Sequence, residues 1–454
     1  MTFQEAVDFF YKRVNYENFV QIPYQELAKN LEKLRRFLEE CQSPDRSYPV
    51  IHVAGTKGKG SVCAIIDRIF TCAGYRVGRF TSPHLNNIRE RFTIGNVPCT
   101  EAEFAELAGE LADKLRKKQA DGFTFFELTT LLAFEYFARQ KVDLAVMETG
   151  LGGRFDATNI CRPDLTVITS ISLEHTEQLG HDLASIAGEK AGIIKQGIPL
   201  ISGVCEPEPA EVIRETAHRL KAPLYEFGKA FHLSPQPDFR FDYQFSGLDD
   251  GFHSVSGSDR STGADGNRNQ TLKQLSLRLL GRHQQQNAAA ALTAANLFRG
   301  KGWHISETSV RSALQTVSVP ARIEAVAEHP LVILDGAHNP ASVAVLLETL
   351  LEHFPRQSAA QSWRLLFGTN RDKEVGTMLP MLLPYFDETV FTQAHSTARA
   401  VPAEELREFF PAAKIFQKPE TGIADLIRRS GTDDLICVTG SLYLAAEVRA
   451  FLLQ

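Results

Sequence analysis

Residues 50–70 read VIHVAGTKGKGSVCAIIDRIF: an apolar run, a loop of glycines and lysines, then a helix-forming segment. This is the outline of a phosphate-binding loop, yet it misses the usual G-x-x-x-x-G-K-[ST] spacing. With Lys59 as the loop lysine, Val53 stands at the first glycine position and Gly60 where a hydroxyl residue is expected. The physical parts are nonetheless present, displaced by one residue. Gly55, Gly58 and Gly60 let the backbone approach a ligand closely, and Lys59 adds a point charge. Ser61 opens the helix, where unpaired N–H groups and the helix dipole favour an anion and a hydroxyl reaches a phosphate-bound metal. The competing reading is a glycine-rich turn with solvated lysines.

The flanking sequence supplies the strand and helix that such a loop needs. YPVIHVAG reads as a buried strand, and SVCAIIDRIFTCAG as a helix closed by Gly74. Upstream, Leu27, Leu31, Leu34 and Leu38 fall three and four apart, the period of an amphipathic helix. Downstream, the helix FFELTTLLAFEYFARQK precedes the strands VDLAVMETG and PDLTVITSIS. Alternating strands and helices predict an α/β fold with a mostly parallel sheet covered on both faces and sites at the strands' C-terminal ends. Residues 246–270 are polar and rich in Gly, Ser and Asp, which predicts a mobile surface insertion. The helix HQQQNAAAALTAANLF and a shorter one lead to VSVPARIE, where the pattern breaks. Strand, loop and helix return in LVILDGAHNPASVAVLLETLLEHF, and WRLLFGTN, ETVFTQA and LICVTGS add strands. These patterns divide the chain into residues 1–318 and 319–454.

At 454 residues two domains are expected, and a 43% hydrophobic, 23% charged composition is ordinary for a globular protein. A net charge of −6 gives no electrostatic reason to expect nucleic acid or an anionic membrane as partner. The N-terminus shows neither a signal peptide nor a membrane span. Cys41, Cys63, Cys72, Cys99, Cys161, Cys205 and Cys437 form no C-x-x-C pair, which reads as reduced thiols of a cytoplasmic protein without a zinc site.

Further chemistry gathers at strand ends. Glu148 closes an apolar strand beside the loop, a position suited to Mg²⁺ on nucleotide phosphates, and the following Gly150, Gly152 and Gly153 point to close backbone approach. His175 lies beyond the next strand, as a metal ligand or a surface residue. Lys190 sits among small and apolar residues, where desolvation lowers its pKa. In the second half Asp335, His338 and Asn339 repeat the strand-end pattern. Arg322 stands at the junction, to reach a phosphate or to pair with an acid.

With GTKGKGS, SPHL, ETGLGGRFDATN, EHTEQLG, GEKAGIIK and DGAHNP in order, the sequence resembles the folylpolyglutamate synthase and dihydrofolate synthase family of the Mur ligase group. The resemblance implies a P-loop ATP-binding domain joined to a smaller Rossmann-like C-terminal domain. The implied reaction is ATP-dependent addition of L-glutamate to dihydropteroate or to reduced folates through an acyl phosphate. Matched motif by motif, Gly55, Thr56, Lys57, Gly58, Lys59, Gly60 and Ser61 would hold the ATP phosphates. Ser61, Ser82 and Glu148 would bind one Mg²⁺, and His175 with a carbamate on Lys190 a second. Asn287 would lie near adenine, Arg322 would reach phosphate, Asp335 and His338 would touch nucleotide, and Phe126 and Asp156 would meet the pterin. The catalytic set would be Lys59, His175, Lys190 and Arg322, in a cytoplasmic monomer.

The chain departs from the family in having Glu174 where Asp is frequent, Lys57 where Asn is, and Ala321 where glycine is. The alanine implies that the junction backbone has no need of positive φ at this point. A cell-wall Mur-type ligase and a non-catalytic nucleotide switch are the competing functions. GLGGRFDATN opposes the first, and Lys190 together with DGAHNP opposes the second.

Overall fold

A computed structural model describes residues 1–15, 24–247, 270–358 and 360–453, with backbone alone for 24–28. The expected insertion at 246–270 therefore lies almost wholly outside the described residues, as does the side chain of Leu27. The chain forms two compact units, Met1–Arg278 with His283–Val317, and Leu279–Arg282 with Ser318–Gln454.

In the first unit the strands are β1 (Val50–Ala54), β2 (Val77–Phe80), β3 (Phe92–Ile94), β4 (Val97–Pro98), β5 (Leu144–Glu148), β6 (Leu165–Ile168), β7 (Leu200–Ser202) and β8 (Leu224–Glu226). They form one sheet in the order β4-β3-β2-β5-β1-β6-β7-β8. The run from β2 to β8 is parallel, and only the β3 and β4 edge is antiparallel. Every residue of β1, β5 and β6 is buried, as strands covered on both faces require. The register pairs Val53 with Glu148 and Ala54 with Ile168, so three chain segments leave the sheet together at one end. Against one face lies the helix Phe125–Arg139, started by a capping box between Thr124 and Glu127 and packed by Phe125, Leu128, Leu132 and Phe134.

β9 (Phe231–Pro235), β10 (Phe241–Phe245) and β11 (Gln270–Leu275) make a small antiparallel sheet that no sequence pattern announced. The amphipathic helix spans Tyr24–Glu40 and buries Leu34 and Leu38. The cysteines are all free, and among the described residues no helix is long and apolar enough to cross a membrane.

The second unit holds β12 (Glu324–Glu328), β13 (Leu331–Leu334), β14 (Trp363–Phe367), β15 (Glu388–Phe391), β16 (Lys414–Ile415) and β17 (Leu435–Thr439). Their order is β12-β13-β17-β14-β15-β16, parallel apart from β12. At its start the expectation for Ala321 fails, since its φ is +55°. The backbone is held there by two bonds: Ala321 N–H donates to Glu324 Oε2 (2.9 Å), and Gly336 N–H to the Ala321 carbonyl (3.0 Å). Arg449 in turn fixes Glu324 through Nε, at 2.9 and 3.0 Å. These contacts outweigh a left-handed penalty of about 1–2 kcal/mol for an L-residue.

His52 lies inside β1 with no exposure. Burial, with the charge of Lys195 adding to it, holds its imidazole down at about 3, against an ordinary value near 6.5. The folded state thus resists protonation: its stability is intact above the unfolded value and is lost as pH falls from there towards 3. Urea unfolding at about pH 7.5 and about pH 5.5 should show a loss of roughly 1.4 kcal/mol that His52→Gln removes. The same pH dependence in both proteins would clear His52 of that role.

Candidate active site

The loop leaving β1 is stitched to the segment leaving β6. Thr56 N–H donates to the Ser170 carbonyl (2.7 Å), and Lys57 N–H to Ser170 Oγ (3.1 Å). Thr169 Oγ1 donates to the Lys57 carbonyl (2.6 Å), and Ser172 N–H to Thr56 Oγ1 (3.1 Å). Thr169, Ser170 and Ser172 thus shape the loop. Sequence reading passed over them, although a run of hydroxyl residues directly after a buried strand was the available signal. At Gly58 the chain turns into the helix Lys59–Cys72 with φ +84°, and a Cβ there would run into Asn287 Oδ1. Asn287 is therefore brought directly against the loop, as glycine alone allows.

Two lysines converge on one carbonyl. Lys59 Nζ donates to the oxygens of Gly55 (3.0 Å) and Thr56 (3.2 Å), and Lys190 Nζ to that of Gly55 (2.9 Å). Lys190 ends the helix Leu183–Lys190 and is buried. Burial first, and then the neighbouring charge of Lys59, pulls its ammonium down to about 7, while Glu174 and Asp156 act in the opposite direction. Near neutral pH a substantial fraction is free amine.

On the other side of the loop, Glu148 ends β5 buried, and Ser82 N–H donates to its Oε2 (3.2 Å). A Cβ on Gly60 would stand 3.7 Å from the same carboxylate. Ser61 is buried at the start of the helix. Carboxylate and hydroxyl oxygens beside a helix N-terminus are the hard donors that Mg²⁺ takes, with phosphates and water completing the shell. Among the described residues no three His, Cys, Asp or Glu side chains gather as a metal cluster, so such a set depends on those hydroxyls. His175 is exposed, with φ +52° before the short helix Thr176–Leu179.

Asp156 is buried in the loop after β5. Its Oδ2 accepts from the N–H groups of Gly150 (2.8 Å) and Leu151 (3.0 Å), and its Oδ1 from Thr158 N–H (2.9 Å) and the Thr158 hydroxyl. Burial raises its pKa and these donors oppose the shift. Phe126 packs so closely that a Cβ on Gly150 would lie 2.7 Å from its ring. The same loop is tied to the helix that carries Lys190: Arg154 N–H donates to the Glu189 carbonyl (2.8 Å), and Asn159 Nδ2 to the carbonyls of Arg154 (2.9 Å) and Gly192 (3.1 Å). Arg154 and Asn159 also escaped the sequence reading.

In the second unit Asp335 is buried and receives N–H bonds from Ile323 (2.9 Å) and Ala337 (2.8 Å). Burial raises its pKa against the charge of Arg322. His338 Nδ1 donates to the Gly336 carbonyl (2.8 Å).

Comparison with known proteins gives the family. The family described as the Mur ligase middle domain matches residues 53–295, and the Mur ligase glutamate ligase domain matches residues 321–442. The chain belongs to the Mur ligase family. It is 34% identical to the dihydrofolate synthase/folylpolyglutamate synthase of Bacillus subtilis, over 92% of this chain and 94% of that one. Its fold is similar to ligand-free L. casei folylpolyglutamate synthase, with a TM-score of 0.82, 27% identity and full coverage of both chains. It is also similar to the bifunctional synthase of Yersinia pestis complexed with AMPPNP and Mn, with a TM-score of 0.78, 31% identity and 93% of each chain covered.

Gly58 and Gly60 should respond differently to alanine. Gly58→Ala meets both a positive φ and Asn287 and is expected to lower stability by about 1–2 kcal/mol. Gly60→Ala is helical with ordinary space, and should be neutral or stabilising by up to about 1 kcal/mol. Urea unfolding of both variants decides it; equal losses would contradict the described loop.

Proposed function

We propose that the protein is an ATP-dependent ligase that joins the α-amine of L-glutamate to a carboxylate of dihydropteroate and of reduced folates, releasing ADP and phosphate. The observation that carries this reading is the convergence of Lys59 and Lys190 on the Gly55 carbonyl, with Lys190 buried and near neutrality. A nucleotide switch has no use for a second, desolvated lysine at its phosphate loop. Relatives described as dihydrofolate synthase/folylpolyglutamate synthase, and a similar structure described with Mn, AMPPNP and L-glutamate bound, favour this acceptor class over a cell-wall precursor.

A carboxylate is a poor electrophile, so the γ-phosphoryl group of ATP is first transferred to an acceptor oxygen, and ADP leaves. The glutamate amine attacks the acyl phosphate carbon, loses a proton, and phosphate departs as the amide forms. The loop amides after Gly58 and the charge of Lys59 orient the phosphates and offset their charge. In the second unit Arg322 is the proposed further phosphate ligand. Lys190 as free amine takes up CO₂, forming an N–C bond and releasing a proton to give an anionic carbamate. Ser61, Ser82 and Glu148 would hold one Mg²⁺, and His175 with that carbamate another; bound there, the ions neutralise phosphate charge and align the reacting oxygens. Asp156 and Phe126 are assigned to the pterin side, which favours action on both acceptors, and a cytoplasmic monomer is the proposed state.

The test is L-glutamate-dependent ADP release with Mg-ATP and either dihydropteroate or tetrahydrofolate, with product masses. One added glutamyl unit on each acceptor is expected; folded, ATP-binding protein silent on both would overturn the reading. Lys190→Ala should lower turnover at least about 100-fold while ATP still binds. Wild-type turnover in that variant would dismiss the carbamate.

A further inference from the structure

We propose that His52 and Thr158 are positioning residues for the acceptor, acting through Asp156 on the loop at Gly150 and Leu151. This rests on the ligase reading above and on that loop serving the pterin side. His52 Nε2 lies 2.8 Å from Thr158 Oγ1, and the Thr158 hydroxyl bonds Asp156 Oδ1. Asp156 Oδ2 then receives the amides of Gly150 and Leu151. The chain of contacts runs from the middle of β1 to the glycine against which Phe126 packs.

Proton counting gives the chain a direction. The Thr158 hydroxyl has a single proton, and a carboxylate at Asp156 accepts it. His52 must therefore present Nε2–H to Thr158 Oγ1, with Nδ1 the bare nitrogen. Nδ1 indeed has no hydrogen-bond partner. His52 and Thr158 have no exposure and Asp156 has 5%. An apolar residue would fill β1 without burying a polar ring, so the imidazole at this position is explained by the bond it donates rather than by packing. Because β1 also feeds the phosphate loop, which begins three residues after His52 at Gly55, one strand sets both the nucleotide loop and the acceptor loop.

The test uses full-length protein with His52→Leu, His52→Gln, Thr158→Val and Thr158→Ser. KM for dihydropteroate and for ATP, and the ¹⁵N shifts of the imidazole, are measured. His52→Leu and Thr158→Val should raise KM for dihydropteroate about tenfold, the scale of one lost buried hydrogen bond, with KM for ATP within about twofold. Gln and Ser keep the donor and hydroxyl and should stay within about threefold of wild type. The shifts should report an Nε2–H tautomer. Both KM values moving together, neither moving, or an Nδ1–H tautomer would overturn the proposal while the ligase reading stands. Wild-type protein inactive on every acceptor would instead overturn the ligase reading, and this proposal with it.

Discussion

The Gly55 carbonyl oxygen accepts from two lysines, and the chemistry of the first unit follows from that shared acceptor. Two like unit charges meeting on one oxygen repel by a few kcal/mol at an effective dielectric of about 20. The more deeply buried lysine gives way, since desolvation and repulsion push it the same way. Lys190 is that residue, and with its ammonium pulled down to about 7 it becomes an amine open to reaction. The arrangement requires the loop carbonyl to stay fixed, which is the task of the bonds from Thr169, Ser170 and Ser172.

Much of this was legible in the sequence because it lies in single segments. The strand, loop and helix at residues 50–70, and a carboxylate closing an apolar strand at Glu148, are local patterns with fixed periods. What escaped depends on contacts between segments distant in the chain. Arg154 holds the backbone of the helix bearing Lys190, and Asn159 bridges to Gly192. Neither carries a sequence period. Ala321 shows the opposite failure: a residue rule predicted negative φ, and the Glu324 carboxylate with the Gly336 amide imposed positive φ.

The irregular spacing of the loop is not forced by lack of space after the lysine. In the usual pattern a hydroxyl side chain follows the lysine directly; here that position is Gly60, and the built Cβ would point at the Glu148 carboxylate from 3.7 Å. That is ordinary van der Waals contact, so a small side chain is tolerated there and no clash demands the glycine. Moving the hydroxyl to Ser61 keeps it in the first turn of the helix, where the dipole favours anions. What the displacement preserves is chemistry rather than space: a hydroxyl in the first helical turn, one residue from the glycine that faces the Glu148 carboxylate.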